Sequence, residues 1–198
     1  MTRQVAIVPT GTANLASVQA AFRRLGAEPR VVEDTAAVAA ASHVMLPGVG
    51  AFGASLQRLR EQGLDRALRE RVQADRPTIA ICVGHQLLFE ASEESPGVAG
   101  LGIVDAQTTR FPTSVRTPQF GWNKVTAGDD CNLLDSGYAY FANSYRATTA
   151  PGWRLATAEH GGPFVAAMER GNVIGCQFHP ELSGDYGAAL LSRFLELG

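Results

Sequence analysis

The sequence predicts one α/β domain over residues 1–198: a single open, mostly parallel sheet flanked by helices, with additional antiparallel strands in the C-terminal half. Two observations carry this. The first 95 residues alternate short, wholly apolar runs with stretches of helical periodicity, and strands apolar on both faces belong to a parallel sheet covered by helices. From Gly97 to about Gly171 the pattern changes to closely spaced β-rich segments, as expected of antiparallel strands and hairpins. A chain of 198 residues, 45% of them hydrophobic, buries enough surface to fold without metals or disulfides.

Each element has a local reason. Val5-Ala6-Ile7-Val8 reads as the first buried strand, and Asn14 as the cap of a helix with Leu15, Val18, Phe22 and Leu25 on one face, ended by Gly26. Arg30-Val31-Val32 is a second strand. Asp34 or Thr35 opens an Ala-rich helix through Ala41, and Val44-Met45-Leu46 forms a third strand that stops at Pro47-Gly48-Val49-Gly50. Helices follow around Phe52–Arg60 and Leu64–Ala74, separated at Gly63. The fourth strand, Thr78–Ile81, ends at Cys82 and is followed by a helix expected to continue through Glu93. In the second half, strands are expected at Phe120–Val125, Tyr138–Phe141, Leu155–Ala158, Phe164–Met168 and Val173–Phe178, and a last helix at Tyr186–Leu197.

With 17 basic and 19 acidic residues the net charge is −2, and Lys124 is the only lysine. The arginines are scattered among acids, which argues against a nucleic-acid or anionic-membrane surface. No run approaches the ~20 apolar residues of a membrane span, so a cytoplasmic protein is expected. Three widely spaced cysteines make neither a disulfide framework nor a paired metal motif. Cys176 reads as a buried core thiol and Cys131 as a loop residue.

Cys82 stands at the end of a buried strand, two residues before Gly84 and directly before a helix. That is a nucleophile elbow, in which a sharp turn lifts the thiol to the carboxyl edge of the sheet and the helix N-terminus favours the thiolate. Alone, the spacing also suits a structural thiol. His179 and Glu181 tip the reading, because His-Pro-Glu follows another apolar strand. At spacing i, i+2 in an extended segment both side chains share one side, so the carboxylate orients the imidazole that takes the thiol proton. Gly48 and Gly50 flank Val49 at a third strand end, which suits an oxyanion hole made by the N–H of Val49 or Gly50 with that of Val83. A phosphate loop would need a following Lys-Ser/Thr, and a plain βα turn remains open. Cys82, His85, His179 and Glu181 could supply four metal ligands, but a closed site would leave no place for substrate. His43 and His160 have no partner at motif spacing.

The ordered set Asn14-Leu15-x-Ser17-Val18, Leu46-Pro47-Gly48-Val49-Gly50, Ile81-Cys82-Val83-Gly84-His85-Gln86, Ser92-Glu93-Glu94-Ser95, Gly121-Trp122-Asn123, Tyr140-Phe141-Ala142-Asn143-Ser144-Tyr145 and Gln177-Phe178-His179-Pro180-Glu181 resembles class I, triad-type glutamine amidotransferases. More closely it is similar to the glutaminase subunits of imidazole glycerol phosphate synthase. The resemblance implies Cys82 as nucleophile, His179 as general base and later acid, and Glu181 as the orienting carboxylate. It also implies that Gly50, Gln86, Ser144 and Tyr145 hold L-glutamine, the last two through main-chain groups. No cofactor or metal is implied, and the partner is a TIM-barrel cyclase in a heterodimer. The chain departs from the family pattern at His85, at Ala142-Asn143 and at Leu182, where a basic residue is usual after His-Pro-Glu.

Overall fold

The computed structural model describes residues 3–11 and 15–198, so the expected cap Asn14 lies outside the described residues. The first half runs β1 (Gln4–Ile7), α1 (Leu15–Arg24), β2 (Glu28–Val31), α2 (Thr35–Ala40), β3 (His43–Leu46), α3 (Phe52–Glu61), α4 (Leu64–Gln73), β4 (Thr78–Ile81) and α5 (Val83–Leu87). Then come β5 (Phe89–Ser92), β6 (Val104–Arg110), β7 (Gln119–Ala127), β8 (Gly137–Asn143), β9 (Tyr145–Arg146), β10 (Arg154–Glu159), β11 (Pro163–Arg170), β12 (Val173–Cys176) and α6 (Gly184–Glu196).

Nine strands form one sheet in the order β2-β1-β3-β4-β12-β11-β10-β7-β8. The first five are mutually parallel and the pairs from β12 onward are antiparallel, as the change in sequence pattern implied. β3, β4 and β12 are buried along their whole length, the consequence of helices on both faces. Right-handed crossovers put α1 on one face and α2, α3 and α4 on the other. On the α1 side, Phe194 of α6 packs against Phe22 with ring centroids 6.3 Å apart. Asp34 caps α2 by accepting from Ala37 N–H at 2.7 Å, and Gly26 closes α1 with φ 76°.

Three expectations need correction. The helix after Cys82 stops at Leu87 instead of continuing to Glu93, because Phe89–Ser92 pairs with β6 and Leu88 accepts from the N–H groups of Ile103 and Val104. Pairing across the fold overrides local helical periodicity there. The segment consequently builds a second, three-stranded sheet in the order β5-β6-β9 rather than leaving the chain with one. His43, read as an ordinary polar residue, is buried in β3 with its ring edge-on to Phe194 at 5.2 Å.

Two buried polar side chains stand out in this frame. Arg71 of α4 is 3% exposed and has only oxygen partners of the backbone and one hydroxyl: its guanidinium donates to the carbonyls of Val38, Ala41, Ser42 and Pro77 and to Thr78 Oγ1, at 2.7–3.1 Å. Burial, with Arg76 nearby, draws its pKa down to about 10, so it stays charged at neutral pH. The five donors of a planar fork match this ring of acceptors, and an ammonium does not. His85 of α5 is fully buried, edge-on to Phe89 at 5.2 Å, with neither ring nitrogen hydrogen-bonded. Burial pushes its pKa down to about 3, which keeps the ring neutral.

Arg71→Met removes the guanidinium from four carbonyls, of which Ala41 O keeps Arg76 and Pro77 O keeps Val44 N–H, and should destabilise the fold by about 3 kcal/mol, and Arg71→Lys by nearly as much. Chemical denaturation measures both, and an Arg71→Lys variant as stable as wild type would contradict the fork argument. For His85 the folded pKa lies below the unfolded value near 6.5, so the unfolded chain binds the extra proton and stability falls as pH drops from about 6.5 toward 3. His85→Met removes that penalty, and its stabilisation should be larger at pH 4.5 than at pH 7.5 by about 2.5 kcal/mol. Equal stabilisation at both pH values would show that the ring is not held neutral.

Candidate active site

β4 lies between β3 and β12, so the segments leaving the carboxyl ends of these three neighbours meet at one edge of the sheet. Cys82 follows β4 with φ 52° and ψ −110°, a positive-φ conformation that a non-glycine residue rarely adopts. It is pinned from both directions: its N–H donates to Cys176 O at 2.7 Å, and its carbonyl accepts from Gln86 N–H at 3.1 Å. Glycine at 84 is obligatory, since a Cβ there would overlap the Leu46 carbonyl. Gly48 is equally constrained, its missing Cβ pointing at the backbone of Val83 and Gly84.

After β12 the chain bends at Gln177 and Phe178 and reaches His179, itself extended, whose N–H donates to Tyr140 O at 2.9 Å. Pro180, Glu181 and Leu182 then form a 3₁₀ turn instead of the extended segment expected, with Leu182 N–H donating to His179 O at 3.0 Å. Proline at the first helical position favours this turn. The turn returns the Glu181 carboxylate to His179, with Nδ1 and Oε1 2.8 Å apart. Ser183 locks the arrangement, its Oγ donating to His179 O at 2.6 Å and accepting from Tyr140 N–H at 2.9 Å.

His179 is 5% exposed, and burial alone would lower its pKa. Hydrogen bonds to Cys82 and Glu181 and the charges of both groups outweigh that burial and raise it instead. With Nδ1 on Glu181, the other ring nitrogen serves Cys82. The three residues therefore form a connected thiol, imidazole and carboxylate, the arrangement that generates a thiolate nucleophile. Cys176 is buried and its thiol is pushed up by desolvation, which makes it inert.

A cavity of about 200 Å³ opens beside Cys82. Its walls include Val49, Gly50, Cys82, Val83, Gln86, Ser144, Tyr145 and His179, so every residue singled out from the sequence lines it except Glu181, which sits behind the imidazole. The volume suits one small amino acid. Gln86 donates to Tyr145 O at 3.1 Å and to Gln177 Oε1 at 2.9 Å. Two further polar residues, Glu94 and Asn143, also line the cavity. Glu94 was visible only as part of a motif: its carboxylate accepts from Phe52 N–H at 2.7 Å and so tethers the start of α3 to the site. Larger space, about 770 Å³, exists at the opposite edge of the sheet beside Arg3, Arg30 and His43, but no cysteine lines it, and its one hydroxyl, Ser42, donates to Gln4 O at 3.2 Å.

The expected oxyanion donors are close together but not free to act together. Val83 N–H donates to Gly48 O at 3.3 Å. In a trans peptide the N–H points opposite to the C=O, so Val49 N–H is directed away from Val83 N–H. His85 does not join the site as a ligand: its ring lies in the core, with Gly175 and Met168 against it. Among the described residues no cluster of three or more His, Cys, Asp or Glu could hold a metal.

Residues 7–197 match the family model of class-I glutamine amidotransferases. The chain is 41% identical to the imidazole glycerol phosphate synthase subunit HisH of Escherichia coli (strain K12), covering 98% of this chain and 99% of that one. It is 38% identical to the chloroplastic imidazole glycerol phosphate synthase hisHF of Arabidopsis thaliana, over 96% of this chain but only 34% of that protein's length, so it spans about a third of that relative. A crystal structure of a glutamine amidotransferase superposes with a TM-score of 0.78, covering 97% of each chain at 22% identity, which shows the shared fold. The chain belongs to the class I glutamine amidotransferases, in the family of HisH subunits of imidazole glycerol phosphate synthase.

Proposed function

We propose that residues 1–198 act as one glutamine amidotransferase domain in the cytoplasm, hydrolysing L-glutamine to glutamate and ammonia and delivering the ammonia to a TIM-barrel cyclase for imidazole glycerol phosphate synthesis in histidine biosynthesis. The observation that carries the reaction is the connected Cys82, His179 and Glu181, with 2.8 Å between imidazole and carboxylate, at the mouth of a cavity sized for glutamine.

His179 takes the thiol proton, and Cys82 sulfur attacks the side-chain amide carbon. Glu181 stabilises the imidazolium that forms. The tetrahedral oxyanion collapses as His179 returns the proton to the leaving nitrogen, releasing ammonia and leaving a thioester. Water, deprotonated by the same imidazole, attacks the thioester through a second oxyanion and frees glutamate. Glu94 supplies the carboxylate for the substrate's α-ammonium group. Gln86 has both amide protons engaged, on Tyr145 O and Gln177 Oε1, so its own oxygen is the group it offers to substrate.

For each oxyanion, Val83 N–H has to be released from Gly48 O and the Gly48–Val49 peptide turned so that Val49 N–H replaces it. Gly48 and Gly50 make that rotation inexpensive, and Gly50 already sits at φ 117°. The cyclase is the trigger. Phe120, Trp122 and Tyr138 project from β7 and β8 at 70%, 59% and 62% exposure, with Leu182 close to the triad at 45%. Phe120 and Leu182 also line a cavity of about 270 Å³ whose other walls are Gly48, Val49, His179 and Glu181. Large exposed aromatics are a mark of an interface centre, and leucine at 182 gives this one a dry contact where relatives carry a charge. A cyclase on this face would receive ammonia at the cavity and touch the walls of the oxyanion loop.

Cys82→Ser should abolish ammonia release with the fold intact, His179→Ala should be almost as damaging, and Glu181→Gln should retain more activity because it keeps a hydrogen bond to the imidazole. Turnover by Cys82→Ser within tenfold of wild type would overturn the assignment. Steady-state kinetics should also show kcat rising ~100- to 1,000-fold from the lone subunit to the complex saturated with cyclase substrate, with little change in KM, since an oxyanion donor acts on the transition state. Equal kcat in both would mean that the hole needs no partner to form.

A further inference from the structure

The amide of Gln177 has no part in the steps above, yet it is wholly buried and both its ends meet residues of the site. Its oxygen accepts from Gln86 Nε2 at 2.9 Å, and its nitrogen lies 3.9 Å from Cys82 Sγ. The orientation of this amide is dictated by the backbone. Tyr145 O can only accept, so the group facing it at 3.1 Å is the NH₂ of Gln86, whose other proton is then directed at Gln177. Gln177 has to answer with its oxygen, and its NH₂ is left facing the sulfur. The backbone holds the residue in place, Gln177 N–H donating to Ala166 O at 2.8 Å.

We propose that Gln177 is a further catalytic residue, a hydrogen-bond donor that stabilises the Cys82 thiolate beside His179 and is aimed by the Gln86 and Tyr145 contacts. The proposal rests on reading Cys82 as the nucleophile. A donor on an ionised sulfur makes a charge-assisted bond and favours the thiolate. The need for one is structural: α5 is only five residues long, so its dipole gives the sulfur less than the longer helix expected from the sequence would. The same contact links substrate recognition to the nucleophile, since Gln86, which lines the glutamine cavity, fixes which end of Gln177 faces Cys82.

Besides Cys82, the titratable groups that line or back the cavity are Glu94, Tyr145, His179 and Glu181, while His85 on α5 and Cys176 on β12 are buried and neutral. The test is the pH dependence of Cys82 alkylation by iodoacetamide in the lone chain, read peptide by peptide by mass spectrometry to separate it from Cys131 and Cys176. Gln177→Met removes the donor at similar size. Gln177→Glu keeps an acceptor for Gln86 but turns an oxygen toward the sulfur. With the far-UV and near-UV circular dichroism of wild type retained, the midpoint of the acid limb should rise by about one pH unit in Gln177→Met, a tenfold loss of thiolate on the acid limb, and further in Gln177→Glu. The plateau rate at high pH should be unchanged. In Gln177→Glu, glutaminase kcat should fall by at least the same tenfold with KM held within about threefold. An unmoved midpoint in either folded variant overturns the proposal, and if Gln177→Met does not fold, Gln177→Glu decides alone. Because alkylation needs no glutamine, the expected order of midpoints together with no ammonia release from the wild-type complex would overturn the proposed reaction and leave the Gln177 contact standing.

Discussion

The end of β3 and the start of α5 touch backbone to backbone. Gly84 lies against the Leu46 carbonyl and Gly48 against the backbone of Val83 and Gly84, at separations that leave no room for a Cβ on either glycine. That contact seats the elbow. With no side chain between them, the strand end fixes where α5 begins, and Cys82 is forced into its positive-φ turn between a hydrogen bond to Cys176 O and one from Gln86 N–H. The cost of such a conformation, of order 1–3 kcal/mol, is met by the buried strands on either side. It also brings the Gly48 carbonyl within reach of Val83 N–H, so the nucleophile and the oxyanion loop are parts of one packed unit.

Strand order does the rest of the assembly. Because β12 is the parallel neighbour of β4, His179 emerges beside Cys82 although 97 residues separate them in sequence, and the 3₁₀ turn after it brings Glu181 back onto the ring. The imidazole is then buried between two groups that favour its cationic form, which outweighs the desolvation that would otherwise keep it neutral. His85 has the same side chain, equally buried, with no partner at all, and its proton affinity moves the other way. Environment alone separates the two histidines.

What the sequence made legible follows from this. Wholly apolar strands ending in Pro-Gly-Val-Gly, Cys-Val-Gly and Gln-Phe-His-Pro-Glu mark the carboxyl edge of a parallel sheet, and chemistry collects there whichever strands are neighbours. Asp34 and Gly26 announced their helix ends because caps act within a few residues. Long-range pairing is invisible at that scale: nothing local to Phe89–Ser92 reveals that it joins β6, so the helix after Cys82 was read too long and the second sheet was missed. Glu94 and Gln177 were seen as motif letters, since their roles depend on partners 42 and 95 residues away. The side to which His85 turns is set by the space Gly175 leaves on β12, which no spacing within α5 encodes.

The energetic scale of the oxyanion loop explains how a surface contact could govern it. The Val83 N–H to Gly48 O hydrogen bond of 3.3 Å is among the contacts that oppose rotation of the Gly48–Val49 peptide, and a bond of that kind is worth about 0.5–1.5 kcal/mol net. A partner changes which orientation dominates when its affinity for the two differs by as much as all the contacts that hold the resting one. Gly48 and Val49 line the same cavity as Phe120 and Leu182, both of which are exposed. A protein docked on that face changes the surroundings of the peptide directly, with no need for a signal through the core. Cys82, His179 and Glu181 are held by buried hydrogen bonds, and the Gly48–Val49 loop beside them lines the cavity that reaches exposed Phe120 and Leu182.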